Sequence, residues 1–340
     1  MPLTTKSIAK LLLIACALAS VAIGVVFTPS LTESTNKRQY VLTTGSTGGT
    51  FYPVGVALST LIQAKLAPTH ALSLSTVTSA GSGENISLLA QNQAQFAIIN
   101  GLYGVNQQPL NQQANLLAVS MLWPNVEQYV IPTTRVVTGD ISDLNHLTGA
   151  TFSIGKKASG TERSGQTILT NLAIPVSSFK LTHTSYSVST DALQDGLISG
   201  MNIPSGVPTP AINRAFASMG SNITMLNFTD EQLALVNKDF ELWSRYVIAA
   251  NTYPGQTQPI YTIAQPNFLA VRADVDEQDV YLLTKAIYQN LAFLHGIHPA
   301  TKTMALEKAF SALPVPLHPG AARYYREAGL SIPAKLLTNQ

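Results

Sequence analysis

The sequence predicts an α/β protein of two lobes with a ligand cleft between them, on three observations. A strand, a turn rich in glycine and hydroxyl residues and a helix follow one another three times. These units fall in two separated parts of the chain, and two long extended segments join the parts. With 340 residues, 46% of them hydrophobic, there is material for two cores of medium size.

The first unit opens with the β-branched and apolar residues 40–42 and turns through residues 43–53 (TTGSTGGTFYP). A helix follows, with Val54, Ala57, Leu58, Leu61 and Ile62 at i, i+3, i+4, i+7 and i+8. Such a turn brings bare backbone N–H groups and hydroxyl donors to a helix N-terminus, where unpaired donors and the helix dipole favour a negative group. Pro53 suits the first turn, where its missing N–H is no loss.

The second unit begins at residues 71–78, which alternate apolar and hydroxyl side chains. It turns through residues 79–85, with Ser82 at an N-cap position, into a helix carrying Ile86, Leu89 and Ala90. Residues 95–100 form a third strand that ends in Asn100. The carboxyl end of a strand is where ligands sit in open α/β sheets, so Asn100 is a candidate contact. Residues 116–122 are a fourth apolar run, closed by Trp123 and Pro124, and residues 126–131 cross to the second lobe.

There the unit recurs. Strand 150–154 leads through residues 155–162 (GKKASGTE) into a helix carrying Ile168, Leu169 and Leu172. Ser159 and Glu162 have the spacing of a capping box, which gives Glu162 a structural role. Lys156 and Lys157 are the cations beside the glycine turns; one facing the cleft would meet an anionic ligand. A strand over 179–186 and a helix over 189–196 ending in glycine follow. Residues 199–210 are too rich in proline for a central strand beyond Ile203. Residues 231–240 are helical, 260–271 return in extended form, 280–294 form an amphipathic helix, and a short helix through Tyr324 and Tyr325 ends the pattern.

Ahead of all this, Lys6 and Lys10 precede the apolar residues 11–27, and no acid appears before Glu33. Residues 1–30 therefore read as a targeting segment, cleaved near Ser30 or kept as an anchor. The one cysteine, Cys16, lies inside it, so the exported product has no disulfide. Without the two lysines, 18 basic residues face 18 acidic ones. That balance excludes a nucleic-acid surface. No later apolar run approaches the length of a membrane span.

Catalytic motifs are lacking. The turn at Gly45 has no phosphate-loop lysine, and residues 81–83 are no dinucleotide fingerprint. Residues 80–83 begin with alanine and fail the pattern of a serine nucleophile elbow. His295 and His298 stand at a helix end marked by Gly296 and Pro299 and read as caps, not metal ligands. No catalytic residue, metal or cofactor is expected. A cleft lined by helix N-termini suits a small polar or anionic molecule.

Six stretches in order, TTGSTGGTFYPVG (43–55), TSAGSGEN (78–85), SGTE (159–162), GVPTPAI (206–212), YPGQ (253–256) and LHPGAARYYREAG (317–329), resemble the TAXI family. These are the solute-binding proteins of tripartite ATP-independent periplasmic (TRAP) transporters. The resemblance implies a two-lobed, type II periplasmic-binding-protein-like fold that closes on a solute and delivers it to TRAP membrane permease subunits driven by an ion gradient. It implies a periplasmic location and a ligand that is an organic acid or amino acid: glutamate-like, a dicarboxylate or a keto acid. Carried over by motif, the pocket residues are Gly48, Gly49, Thr50 and Tyr52; Thr78, Ser82 and Asn85; Ser159, Gly160 and Thr161; and Gly206 and Pro208, the last two on the resemblance alone. The family's Asp-Gly-x-(Ile/Val)-Asp-Ala continuation is altered here, where Asp195 and Gly196 are followed by Ser199, Gly200 and Met201.

The expected division is lobe I from 39–128 plus 263–340 and lobe II from 129–262. A periplasmic sensor for a membrane signalling partner, or an enzyme using Ser82 or Ser159, are the competing readings. The enzyme would need a base beside the serine.

Overall fold

The computed structural model describes residues 37–105 and 115–338. The targeting segment expected at 1–30 lies outside them.

In the first lobe β1 (Arg38–Thr43) leads into α1 (Phe51–Lys65) and the one-turn α2 (Ala67–His70), and β2 (Leu72–Val77) leads into α3 (Ser82–Ala90). β3 (Phe96–Asn100) passes into the short α4 (Gly101–Val105). Val54, Ala57, Leu58, Leu61 and Ile62, the periodic positions of α1, are all buried. That stripe holds α1 on the sheet, and Lys65 in its last turn complements the helix dipole.

β4 (Leu116–Val126) runs past the expected stop, straight through Trp123 and Pro124. The reason lies in its partner: Pro124 pairs opposite Pro266 beside a register shift, so both missing N–H groups fall at one irregular point of the ladder. The chain then crosses into β5 (Tyr129–Pro132), the first strand of the second sheet.

The second lobe continues with β6 (Thr151–Ser153), α5 (Gly160–Asn171) and β7 (Lys180–Thr182). After these come α6 (Tyr186–Gln194), β8 (Gly200–Asn202), α7 (Pro210–Met219) and β9 (Ile223–Met225). α8 (Asp230–Val236) and β10 (Ser244–Ile248) precede the return strand β11 (Ile260–Arg272). β7 is shorter than its sequence suggests, and α6 begins at Tyr186, ahead of the predicted start.

Back in the first lobe, α9 (Glu277–Gln289), α10 (Leu291–Ile297) and α11 (Pro319–Glu327) complete the chain. The single amphipathic helix expected over 280–294 is broken at Asn290, whose φ of −132° and ψ of 30° are not helical. Of the two histidines read as caps, His298 does so, its Nδ1 accepting from Ala300 N–H at 3.1 Å, whereas His295 instead sets its Nε2 3.2 Å from the Met304 carbonyl; His318 Nδ1 also caps, accepting from Gly320 N–H at 3.2 Å.

The two sheets share one plan. In the first the order is β2, β1, β3, β11, β4, with β10 alongside the first half of β11; in the second it is β7, β6, β8, β5, β9. Each has three parallel strands, then an antiparallel strand that arrives through a crossing from the other lobe, then an outer strand. Parallel neighbours require crossover connections, and the helices supply them. Along β5 the side chains alternate between two cores: Tyr129 and Ile131 enter one cluster, with Phe152 and Ile168, while Val130 enters another, with Met201 and Ile212. β11 passes through all the cores, giving Ile263 to the first of these clusters, Ile260 and Ala264 to the second, and Phe268, Leu269, Ala270 and Val271 to the core of the first lobe. β11, together with β4, whose Leu122 and Val126 fall in different cores, thereby links the two lobes.

Candidate functional site

Between the lobes lies a cleft open to solvent, with about 490 Å³ of space among its lining atoms. Four helices begin at its wall: α1 at Gly49, Thr50 and Phe51, α3 at Gly81 and Ser82, α5 at Ser159, Gly160 and Thr161, and α6 at Ser185 and Tyr186. Asn100 from the end of β3, Asn125 from the end of β4, and Pro204 and Ser205 after β8 fill the wall between them.

Local chemistry sets each helix start. Gly81 has φ of +123°, a backbone conformation closed to side-chain-bearing residues, and this turns β2 sharply into α3. At α5, Ser159 Oγ accepts from Glu162 N–H at 3.0 Å. The expected reciprocal bond is displaced by one residue, because the Glu162 carboxylate takes Ala158 N–H at 2.8 Å and not that of Ser159. Thr50 bonds across the cleft instead of capping: its N–H donates to Ser205 Oγ at 3.1 Å and its hydroxyl to Gly206 O at 3.0 Å. The Tyr186 hydroxyl donates to Pro204 O at 2.8 Å and pairs with Thr161 Oγ1 at 2.6 Å. Burial pushes its phenol above the ordinary value, so it stands at the wall as a neutral group.

The charge of the wall is one-sided. Among the described residues Lys156, half-buried, is the one ionisable amine lining it, and no acidic side chain does so. Lys157 points away and pairs with Glu162 at 3.2 Å.

Seven of the residues expected at the site line the cavity: Gly49, Thr50, Ser82, Asn100, Ser159, Gly160 and Thr161. The others lie elsewhere. Asn85 is wholly buried in the first lobe, where its Oδ1 accepts from Thr43 and Ser79 hydroxyls and its Nδ2 donates to the Thr44 and Ile98 carbonyls, leaving nothing for a ligand. Thr78 is exposed beyond the end of β2, and Tyr52 lies in the first turn of α1 off the wall. Gly48 offers its carbonyl to Ala211 N–H at 3.3 Å, an interlobe contact. Gly206 packs on the Trp123 indole and accepts from Thr50, and Pro208 follows a cis peptide bond behind it.

Tyr186, Ser185 and Thr184 escape the sequence reading because α6 starts earlier than its apolar spacing suggests. A serine before the first periodic residue is the signal that would have found them. Asn125 gives no local signal, since it reaches the wall only through the pairing of β4 with β11. Behind the wall, in the crossing itself, Glu127 is wholly buried and accepts from Asn202 Nδ2 at 3.0 Å and Trp243 Nε1 at 3.4 Å. Burial pushes its carboxyl above the ordinary range, against the pull of those donors.

Among the described residues no group of three His, Cys, Asp or Glu side chains is placed to hold a metal ion, and no helix is long and apolar enough to cross a membrane. Solved structures similar to this chain are substrate-binding proteins. PhnD1 from Prochlorococcus marinus, in complex with methylphosphonate, matches with a TM-score of 0.53 at 12% identity, over 85% of this chain and 98% of that one. MatC from Rhodopseudomonas palustris, with bound malate, matches with a TM-score of 0.52 at 12% identity, over 85% and 97%. The periplasmic aliphatic sulphonate binding protein SsuA from Escherichia coli is also similar, with a TM-score of 0.43 at 11% identity, over 85% and 83%. The two mixed sheets and their shared strand plan are thus those of the type II periplasmic-binding-protein-like fold. A family model that matches residues 42–329, from β1 to just beyond α11, completes the comparison: the chain belongs to the NMT1-like family.

Proposed function

We propose that this protein is an extracytoplasmic solute-binding protein of the TAXI kind, which captures a small carboxylate-bearing solute between its lobes and delivers it to the permease of a TRAP transporter. The observation that carries this reading is the convergence of four helix N-termini and Lys156 on one cavity with no acidic side chain on its wall. Unpaired N–H groups and aligned dipoles stabilise an anion there without a bound counter-ion. The two crossings leave the lobes free to swing about the strands they share, so that closure can report occupancy to a membrane partner. The similar binding proteins with bound malate and methylphosphonate support an anionic solute, and the six motifs support the TRAP assignment.

Binding without turnover fits the serines. Ser82 Oγ accepts from Asn100 N–H at 3.1 Å and Ser159 Oγ caps α5, and among the described residues no His, Asp or Glu lines the cavity beside either.

A thermal-shift screen of amino acids, mono- and dicarboxylates and keto acids, with alkylphosphonates and alkylsulfonates as the competing anion classes, tests the reading. Ligand at about 100 times its Kd adds roughly 2.7 kcal/mol to stability. Stabilisation by a carboxylate, with the compound recovered unchanged, is expected. Stabilisation only by phosphonates or sulfonates would replace the carboxylate assignment.

A further inference from the structure

β11 carries Gln265 and Asn267 on the same face, two residues apart. Its register sets Gln265 opposite Asn125 of β4 and Asn267 opposite Asn100 of β3. Residues directly opposite in an antiparallel pair share a face, and Asn125 and Asn100 line the cavity. Asn267 therefore stands beside Asn100 on the same face of the sheet, directly behind the wall that Asn100 lines.

Both are almost wholly buried, Asn267 at 0% and Asn100 at 1% exposure, and their side chains are not satisfied by the protein. Oδ1 of Asn100 and both Oδ1 and Nδ2 of Asn267 have no hydrogen-bond partner. The Asn100 amide also lies under the start of α5, because a Cβ on Gly160 would fall 2.5 Å from its Nδ2. Buried amide atoms left unpaired destabilise a fold, and here three of them belong to two residues paired directly opposite each other, one of which, Asn100, lies under the start of α5. They offer two acceptors and one donor; a carboxylate oxygen, an acceptor only, can pair with the donor but leaves both acceptors unsatisfied.

We infer that Asn100 and Asn267 form a second, non-ionic subsite, which takes a hydroxyl or amino substituent carried by the anionic solute. This rests on the anion-binding reading above and narrows it: the solute is a hydroxy or amino acid, and its unsubstituted analogue is discriminated against. The helix N-termini hold the carboxylate; the amide pair reads the substituent. A site built to hydrogen-bond such a group rejects the analogue lacking it, because the buried amides are then left unpaired.

Calorimetric titration with matched pairs tests this: malate against succinate, glutamate against glutarate, lactate against propionate. In the wild-type protein the substituted member of the pair that binds should be favoured by at least about tenfold. Asn267→Leu should bring the two members to near equality while leaving the affinity for the unsubstituted acid within about threefold. The near-isosteric Asn267→Asp, measured alongside in case the leucine perturbs the sheet, keeps acceptors but loses the donor. It should lower the hydroxy acid's advantage more than the amino acid's. Equal binding of both members by the wild type, an undiminished preference in Asn267→Leu, or an undiminished hydroxy-acid preference in Asn267→Asp overturns the subsite alone. If no carboxylate, phosphonate or sulfonate of the wider screen binds, the anion-binding reading itself falls, and the subsite with it.

Discussion

The N–H of Glu84 donates to the carbonyl of Ala158 at 3.0 Å, a backbone hydrogen bond that joins the first turn of α3 to the loop before α5 across the cleft. Its neighbour Gly83 makes the approach possible, since a Cβ there would fall 2.5 Å from the same carbonyl oxygen. The opposing atom is backbone and cannot swing aside. Gly83→Ala should therefore hinder the meeting of the lobes while leaving α3 itself no less stable, alanine being the better helix former. The expected result is weaker solute binding with an unchanged or raised melting temperature of the ligand-free protein. Unaltered affinity would show that this contact plays no part in closure.

Two asparagines from the same lobe separate structure from binding. Asn85→Ala strips partners from two hydroxyls and two carbonyls in a buried network. A loss of about 2 kcal/mol or more in denaturant unfolding is expected. Asn100→Ala removes an atom that has no protein partner, so its unfolding midpoint should barely move while solute affinity falls. The reverse ranking in paired unfolding and binding measurements would contradict both placements.

Lys156 is the cation on the wall, whereas Lys157 faces solvent and Glu162. Lys156→Met should weaken binding of the true solute by about tenfold to a hundredfold, the value of a hydrogen bond to a charged partner. The loss should be greatest for dianions and should shrink as salt is raised. Lys157→Ala should leave affinity as it was. Equal effects from the two substitutions would mean that only the general field of the loop matters.

Glu127 predicts a pH dependence of stability. Its carboxyl holds a proton more tightly folded than unfolded, so its stabilising contribution is complete below the ordinary value of 4.5 and is lost as pH rises through the raised folded value. Glu127→Gln removes the buried charge, and the orphaned Oδ1 of Asn202 can accept from the new amide once the Asn202 side chain flips. The variant should match the wild type near pH 4 and exceed it at pH 8 in thermal melts. Parallel curves across that range would mean that Glu127 titrates as it does in the unfolded chain.

Local pattern made much of this molecule legible. The periodic apolar residues of α1, the turn glycines and the capping Ser159 act within a few residues of themselves, and for that reason three of the helix N-termini at the cavity, and Asn100 at its strand end, could be read from the chain. Contacts between distant segments were not legible. Asn85 resembles a ligand residue in its motif, yet its amide is spent on Thr43, Thr44, Ser79 and Ile98, partners that only the stacking of α3 on the sheet brings within reach. Asn125 reaches the wall, and Asn267 comes to stand opposite Asn100, because β11 aligns with β4 and β3, and Glu127 became a buried carboxylate in the crossing beside them. The sequence by itself determined which helix starts carry free donors, because that depends on residues adjacent along the chain. Which of those donors face one cavity, and what stands unpaired beneath them, was decided by strand register and lobe contact, which set the distances between residues far apart in sequence.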